Sequence, residues 1–139
     1  MHTKNDEIRI GIICQHNLLR GGITSLLRYF GYCIQGEYNS GKEFIGKLNS
    51  TDLPNLVFTD VDRQETDAYE TATYLKAYYP SIILLALTIE IDATFIDRLI
   101  KNGAKGVVLK TIYPQELELA IKRVITKGFY FPRYTSYKP

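Results

Sequence analysis

From Ile8 onward the chain alternates short apolar runs with amphipathic stretches. The runs, at about 8–14, 32–37, 55–60, 82–88 and 106–110, predict five strands. The third and fourth are almost unbroken, Leu56-Val57-Phe58 and Ile82-Ile83-Leu84-Leu85-Ala86-Leu87. Apolar residues at consecutive positions imply burial on both faces, as in a parallel sheet covered by helices on each side.

The helices between them are marked by their ends. Ser40 with Glu43, and Asp67 with Glu70, have capping-box spacing. Pro114 suits the first position of the last helix, while Gly103 and Gly128 suit helix ends. Leu19, Ile23, Leu26 and Phe30 form an apolar stripe on the first helix, and Leu117, Ile121, Val124 and Ile125 do so on the last. These stripes read as core packing. Regular β–α alternation with short connections predicts one α/β domain: a flavodoxin-like (βα)5 doubly wound parallel sheet of order 2-1-3-4-5.

In such a sheet, ligands bind at the carboxyl edge where strand order reverses. Gln15, Asp60, Thr88 and Lys110 each close an apolar run, so they gather along that edge. Gln15 and Asp60 face each other across the crevice between the first and third strands. A carboxylate, a hydroxyl and a lysine together suit a phosphoryl group, with Asp60 as nucleophile. Cys14-Gln15 stands where that chemistry would want acids to hold a metal.

Composition changes this picture little. At 139 residues, 45% hydrophobic and 23% charged, the chain has the make-up of one soluble globular domain. A net charge of +2 gives no reason to expect nucleic-acid or membrane binding by the chain itself. The polar start Met1–Glu7 does not read as a signal peptide, and the cytoplasm is the expected compartment. Cys14 and Cys33 fall at opposite ends of neighbouring strands, whereas a disulfide needs Cα atoms within about 7 Å. Both are expected to be reduced and buried.

With these motifs in order, the chain resembles CheY-like receiver domains of two-component response regulators, particularly receivers that precede a LuxR-type helix-turn-helix. Ile8–Ile23 is similar to that subfamily's first strand and helix, and Pro54–Asp60 to the segment ending in the phosphoacceptor aspartate. Ala86-Leu87-Thr88 matches the switch-threonine strand, and Asn102–Lys110 the Gly-Ala-x-Gly segment ending in lysine. The resemblance implies a receiver over 1–131, with 132–139 as a tail or the start of a linker. It also implies that Asp60 is phosphorylated by a partner histidine kinase, with Thr88 and Lys110 contacting the phosphoryl group. Glu90 would sit where receivers modulate phosphoryl access.

Three departures from the family pattern carry expectations of their own. Cys14-Gln15 replaces the acidic pair that holds Mg²⁺, a hard cation that wants oxygen ligands. No cofactor is therefore expected, and Mg²⁺ binding should be weak at best. Val107 replaces the aromatic residue that rotates inward on activation, and Asp62–Thr66 replaces the usual Met-Pro loop, with Asp62 a stray carboxylate.

His16 reads as a loop or helix-capping residue rather than a ligand. The eleven tyrosines include Tyr74 and Tyr78 one helical turn apart, and Tyr113, Tyr130, Tyr134 and Tyr137 near the end. They leave open a homodimer through the last strand and helix regions. Three functions compete: a phosphorylatable receiver, a phosphorylation-independent pseudo-receiver binding a signalling protein, and a small flavodoxin-like enzyme. The enzyme is disfavoured, because the chain has no Gly-rich phosphate loop after its first strand and no Ser–His pair.

Overall fold

The computed structural model describes residues 7–61, 67–89 and 92–131. Asp62–Thr66, Glu90, Tyr134 and Tyr137 lie outside the described residues. The elements are β1 (Arg9–Ile13), α1 (Asn17–Tyr29), β2 (Cys33–Tyr38), α2 (Gly41–Gly46), β3 (Leu56–Asp60), α3 (Asp67–Tyr78), β4 (Ile83–Thr88), α4 (Ala93–Asn102), β5 (Gly106–Leu109) and α5 (Pro114–Lys127). The strands form one sheet of order β2-β1-β3-β4-β5, and every pairing is parallel. This is the expected doubly wound architecture, with order reversing between β1 and β3.

Strand alternation divides the apolar side chains between the two faces. Leu56, Phe58, Leu85, Leu87 and Val108 join Leu27 of α1 and Leu117 and Ile121 of α5 in one cluster. Val57 and Leu84 pack with Phe44 of α2 and Leu75 of α3. Ala86 and Val107 pack with Tyr69 of α3 and Phe95 and Leu99 of α4. Burial on both faces explains the unbroken apolar runs of β3 and β4. It also leaves their polar carboxyl ends as the natural exit to solvent.

Helix ends hold several of the anticipated devices. Ser40 caps α2 by accepting from the Glu43 N–H, and the Glu43 carboxylate reaches back to the Asn39 N–H at 3.0 Å. Gly103 and Gly128 end α4 and α5 in the left-handed region, at φ 116° and 89°. Asp67 behaves differently from expectation. It lies within α3 rather than before it, and its carboxylate accepts from the Gly41 N–H at 2.8 Å. That contact ties the start of α2 to α3. A Cβ on Gly41 would lie 1.8 Å from the Thr71 hydroxyl, so only glycine fits this approach.

The cysteines differ from each other. Cys14 is buried, but Cys33 is exposed, contrary to the expectation that both are core residues. Cys33 opens β2, the edge strand, most of whose residues are partly exposed. At the opposite edge, β5 is bordered by its own chain. The Tyr130 N–H donates to the Lys105 carbonyl and the Val107 N–H donates to the Tyr130 carbonyl, both at 3.0 Å.

Candidate functional site

β3 delivers Asp60 to the carboxyl edge beside β1, and β5 ends one residue before Lys110. The Lys110 ammonium forms an ion pair with Asp60 Oδ1. Both side chains are largely removed from water, at 13% and 17% exposure for Asp60 and Lys110. Among the described residues no hydrogen-bond donor other than this cation serves Oδ1. A pair this sheltered is costly to separate, because either charge alone would sit in a poorly hydrated place.

Thr88 ends β4 and is buried. Its carbonyl accepts from the Lys110 N–H at 2.8 Å, so β4 sets the height at which Lys110 leaves the sheet. By strand alternation Thr88 follows Leu84 and Ala86 on the face beneath α3 and α4, whereas Asp60 follows Leu56 and Phe58 on the other. The structure thus joins Asp60 and Lys110 directly, and joins Thr88 to Lys110 through the backbone.

The second carboxylate oxygen, Oδ2, faces the loop between β1 and α1. The Cys14 thiol lies 3.8 Å from it and 3.7 Å from the His16 carbonyl. Burial pushes the Cys14 thiol up from its ordinary pKa, with the Asp60 charge adding to the shift. Cys14 is therefore a protonated donor toward Asp60. The His16 Nε2 is also 3.8 Å from Oδ2. His16 occupies the cap position of α1, yet its side chain makes no capping hydrogen bond. It flanks the carboxylate instead, and its place directly after Gln15 was the only sign of this in the sequence.

A cleft of about 270 Å³ opens beside Asp60, lined in part by Cys14, Gln15, Asn39, Asp67 and Glu70. The divalent cation implied by the family pattern does not fit Cys14 and Gln15, which stand in place of its acidic pair. Gln15 offers one neutral amide oxygen and Cys14 a soft, protonated sulfur, whereas Mg²⁺ wants hard oxygen ligands. Asp60 Oδ1 is already engaged by Lys110. Among the described residues no group of three His, Cys, Asp or Glu side chains is arranged to hold a metal ion.

Arg20, absent from the sequence-based set, organises the loop. Its guanidinium donates to the Cys14 carbonyl at 2.6 Å, to Asn39 Oδ1 at 2.7 Å and to Asn17 Oδ1 at 2.9 Å, and Nε pairs with Glu37 at 3.3 Å. Val107, which stands where the family pattern has an aromatic switch residue, is wholly buried. Aromatic volume in that region comes from Tyr69 and Phe95, packed edge to face at 6.2 Å, with Arg98 above the Tyr69 ring at 4.2 Å.

The family model for the response regulator receiver domain matches residues 10–122. The chain is 29% identical over 138 residues to the transcriptional regulatory protein DegU of Brevibacillus brevis, covering 96% of this chain and 57% of that protein. It is 30% identical over 118 residues to the response regulator GacA of Pseudomonas viridiflava, covering 84% of this chain and 55% of that protein. The crystal structure of a LuxR family DNA-binding response regulator from Silicibacter pomeroyi superposes with a TM-score of 0.76 at 25% identity, over 94% of this chain and 99% of that one. The chain belongs to the receiver-domain family of two-component response regulators. It spans a little over half the length of these two curated relatives. Among the described residues no helix is long and apolar enough to cross a membrane.

Proposed function

We propose that Asp60 is the phosphoacceptor of this receiver, and that the observation carrying this reading is its ion pair with Lys110 at the switch edge. Oδ2, the oxygen Lys110 does not hold, attacks the phosphorus of a partner kinase's phosphohistidine. The P–N bond breaks, the imidazole leaves, and an acyl phosphate remains on Asp60. Phosphoryl transfer depends chiefly on positioning and on neutralising charge. Lys110 supplies the cation on one side, and the Cys14 thiol and His16 supply polar contacts on the other. Thr88, tied to Lys110 through the backbone, accepts the role of drawing the β4–α4 connection toward the phosphoryl group.

The partners in this reading are a cognate histidine kinase in the cytoplasm and, past Phe131, an output domain that acts in transcription, as the relatives' names state for them. Residues 132–139 would begin the linker to it. A phosphorylation-independent interaction module gains no support from the relatives over this reading.

The test is incubation with acetyl phosphate followed by intact mass and peptide mapping. One phosphoryl group is expected, on Asp60, and none in Asp60→Asn. Equal uptake by the Asn variant would place the acceptor elsewhere and overturn the assignment.

A further inference from the structure

The loop between β1 and α1 raises a physical question. In an acidic version of this loop, two carboxylates beside Asp60 would repel one another and need a cation to draw them together. Here Cys14 and Gln15 are uncharged, and another cross-link is available. Arg20, in the first turn of α1, sends its side chain back over the loop and is only 18% exposed. Three of its contacts are hydrogen bonds to oxygens of Cys14, Asn17 and Asn39, and the fourth is the pair with Glu37. These partners belong to the first residue past β1, the start of α1, the exit of β2 and β2 itself.

We infer that Arg20 is a positioning residue for the Asp60 site, its guanidinium fixing the β1–α1 loop against the carboxylate without help from a metal. The Cys14 residue whose carbonyl Arg20 grips at 2.6 Å is the one whose thiol faces Asp60 Oδ2. Moving that peptide moves the donor. A planar fork of five N–H groups reaches acceptors on several sides of the side chain. A lysine ammonium presents its three donors from one point, so lysine would recover only part of these contacts. Glu37 balances the charge locally, so the cross-link brings no net cation to the phosphoryl position. What the loop serves rests on the phosphoacceptor reading above; that Arg20 holds the loop does not.

Two cysteines make the test internal to the protein. Cys14 is buried and Cys33 exposed, so iodoacetamide labelling followed by peptide mass spectrometry reports opening at Cys14 against Cys33 as reference. In the natural protein Cys14 should label slowly, at a rate that millimolar Mg²⁺ leaves unchanged. Arg20→Ala should raise the Cys14 rate roughly tenfold, the scale of one hydrogen bond to a charged group, with Cys33 unaffected. Arg20→Lys should restore only part of the protection. Should Arg20→Ala fail to fold, Asn39→Ala removes one acceptor alone and should give a smaller rise.

Unchanged Cys14 labelling in a folded variant, or Mg²⁺ protecting the natural protein as strongly as Arg20 does, overturns the inference. Phosphoryl uptake at Asp60 separates the two claims. Faster labelling with slower uptake supports a positioning role, and faster labelling with unaltered uptake overturns it. No uptake by any variant, the natural protein included, counts instead against the phosphoacceptor reading.

Discussion

The Lys110 ammonium pairs with Oδ1 of Asp60, and the Lys110 backbone N–H is held by the Thr88 carbonyl at 2.8 Å. The cation that neutralises Asp60 is thereby fixed to the strand beside it. With Cys14 and Gln15 of the β1–α1 loop both uncharged, this pair gives Asp60 its charge partner on the β5 side. Replacing either partner leaves the other charge sheltered and uncompensated.

Lys110→Met should destabilise the fold by roughly 3 kcal/mol, the low end for breaking a sheltered pair, because the Asp60 charge is left without compensation. Asp60→Asn combined with Lys110→Met should recover most of the loss. Urea unfolding at neutral pH gives the four values of the cycle. If the double variant is no more stable than Lys110→Met alone, the pair is not what Lys110 contributes.

Alkaline pH should weaken the fold through Tyr32. Its phenol is buried and its pKa pushed up to about 12, with burial as the larger cause and the Glu118 charge as the lesser. The folded state therefore keeps the proton that the unfolded chain releases near pH 10. Its contribution is fully present below pH 10 and is lost as pH rises from 10 toward 12, amounting to at most roughly 3 kcal/mol. Tyr32→Phe should flatten the fall in stability over that window. An equally steep fall in the variant would assign the effect to other groups.

The segment after α5 should behave as a weak sixth strand. Tyr130 makes two hydrogen bonds to the β5 edge, and Phe131 packs against the cluster containing Val107. The next residue is Pro132, which has no N–H to extend the ladder. Phe131→Ala should lower stability by about 1–2 kcal/mol and speed hydrogen exchange at the Val107 amide. Exchange at Val107 unchanged by the substitution would show that the segment does not depend on this anchor.

Much of the framework was legible in the sequence because burial on both faces of a parallel sheet leaves unbroken apolar runs, as in β3 and β4. The same runs placed Asp60, Thr88 and Lys110, since the first two close their strands and the third directly follows its own. The parts that escaped depend on side chains reaching across elements. Arg20 looks like any polar residue in the first turn of a helix, and nothing in its spacing signals Asn39 or Glu37. Asp67 has capping-box spacing with Glu70, yet its carboxylate serves the Gly41 N–H of another helix. Cys33 is exposed because it opens an edge strand, and strand order alone does not say which face of an edge is covered.

The most direct test compares phosphoryl gain at Asp60 from acetyl phosphate, with and without Mg²⁺, in the natural protein and in Cys14→Asp/Gln15→Asp. The account predicts slow gain by the natural protein that Mg²⁺ hardly alters, and faster, Mg²⁺-dependent gain once the acids are restored. Intact mass over time gives both rates, with Asp60→Asn as the blank. A natural protein that takes up phosphate as fast as the restored variant, and faster with Mg²⁺, would contradict it.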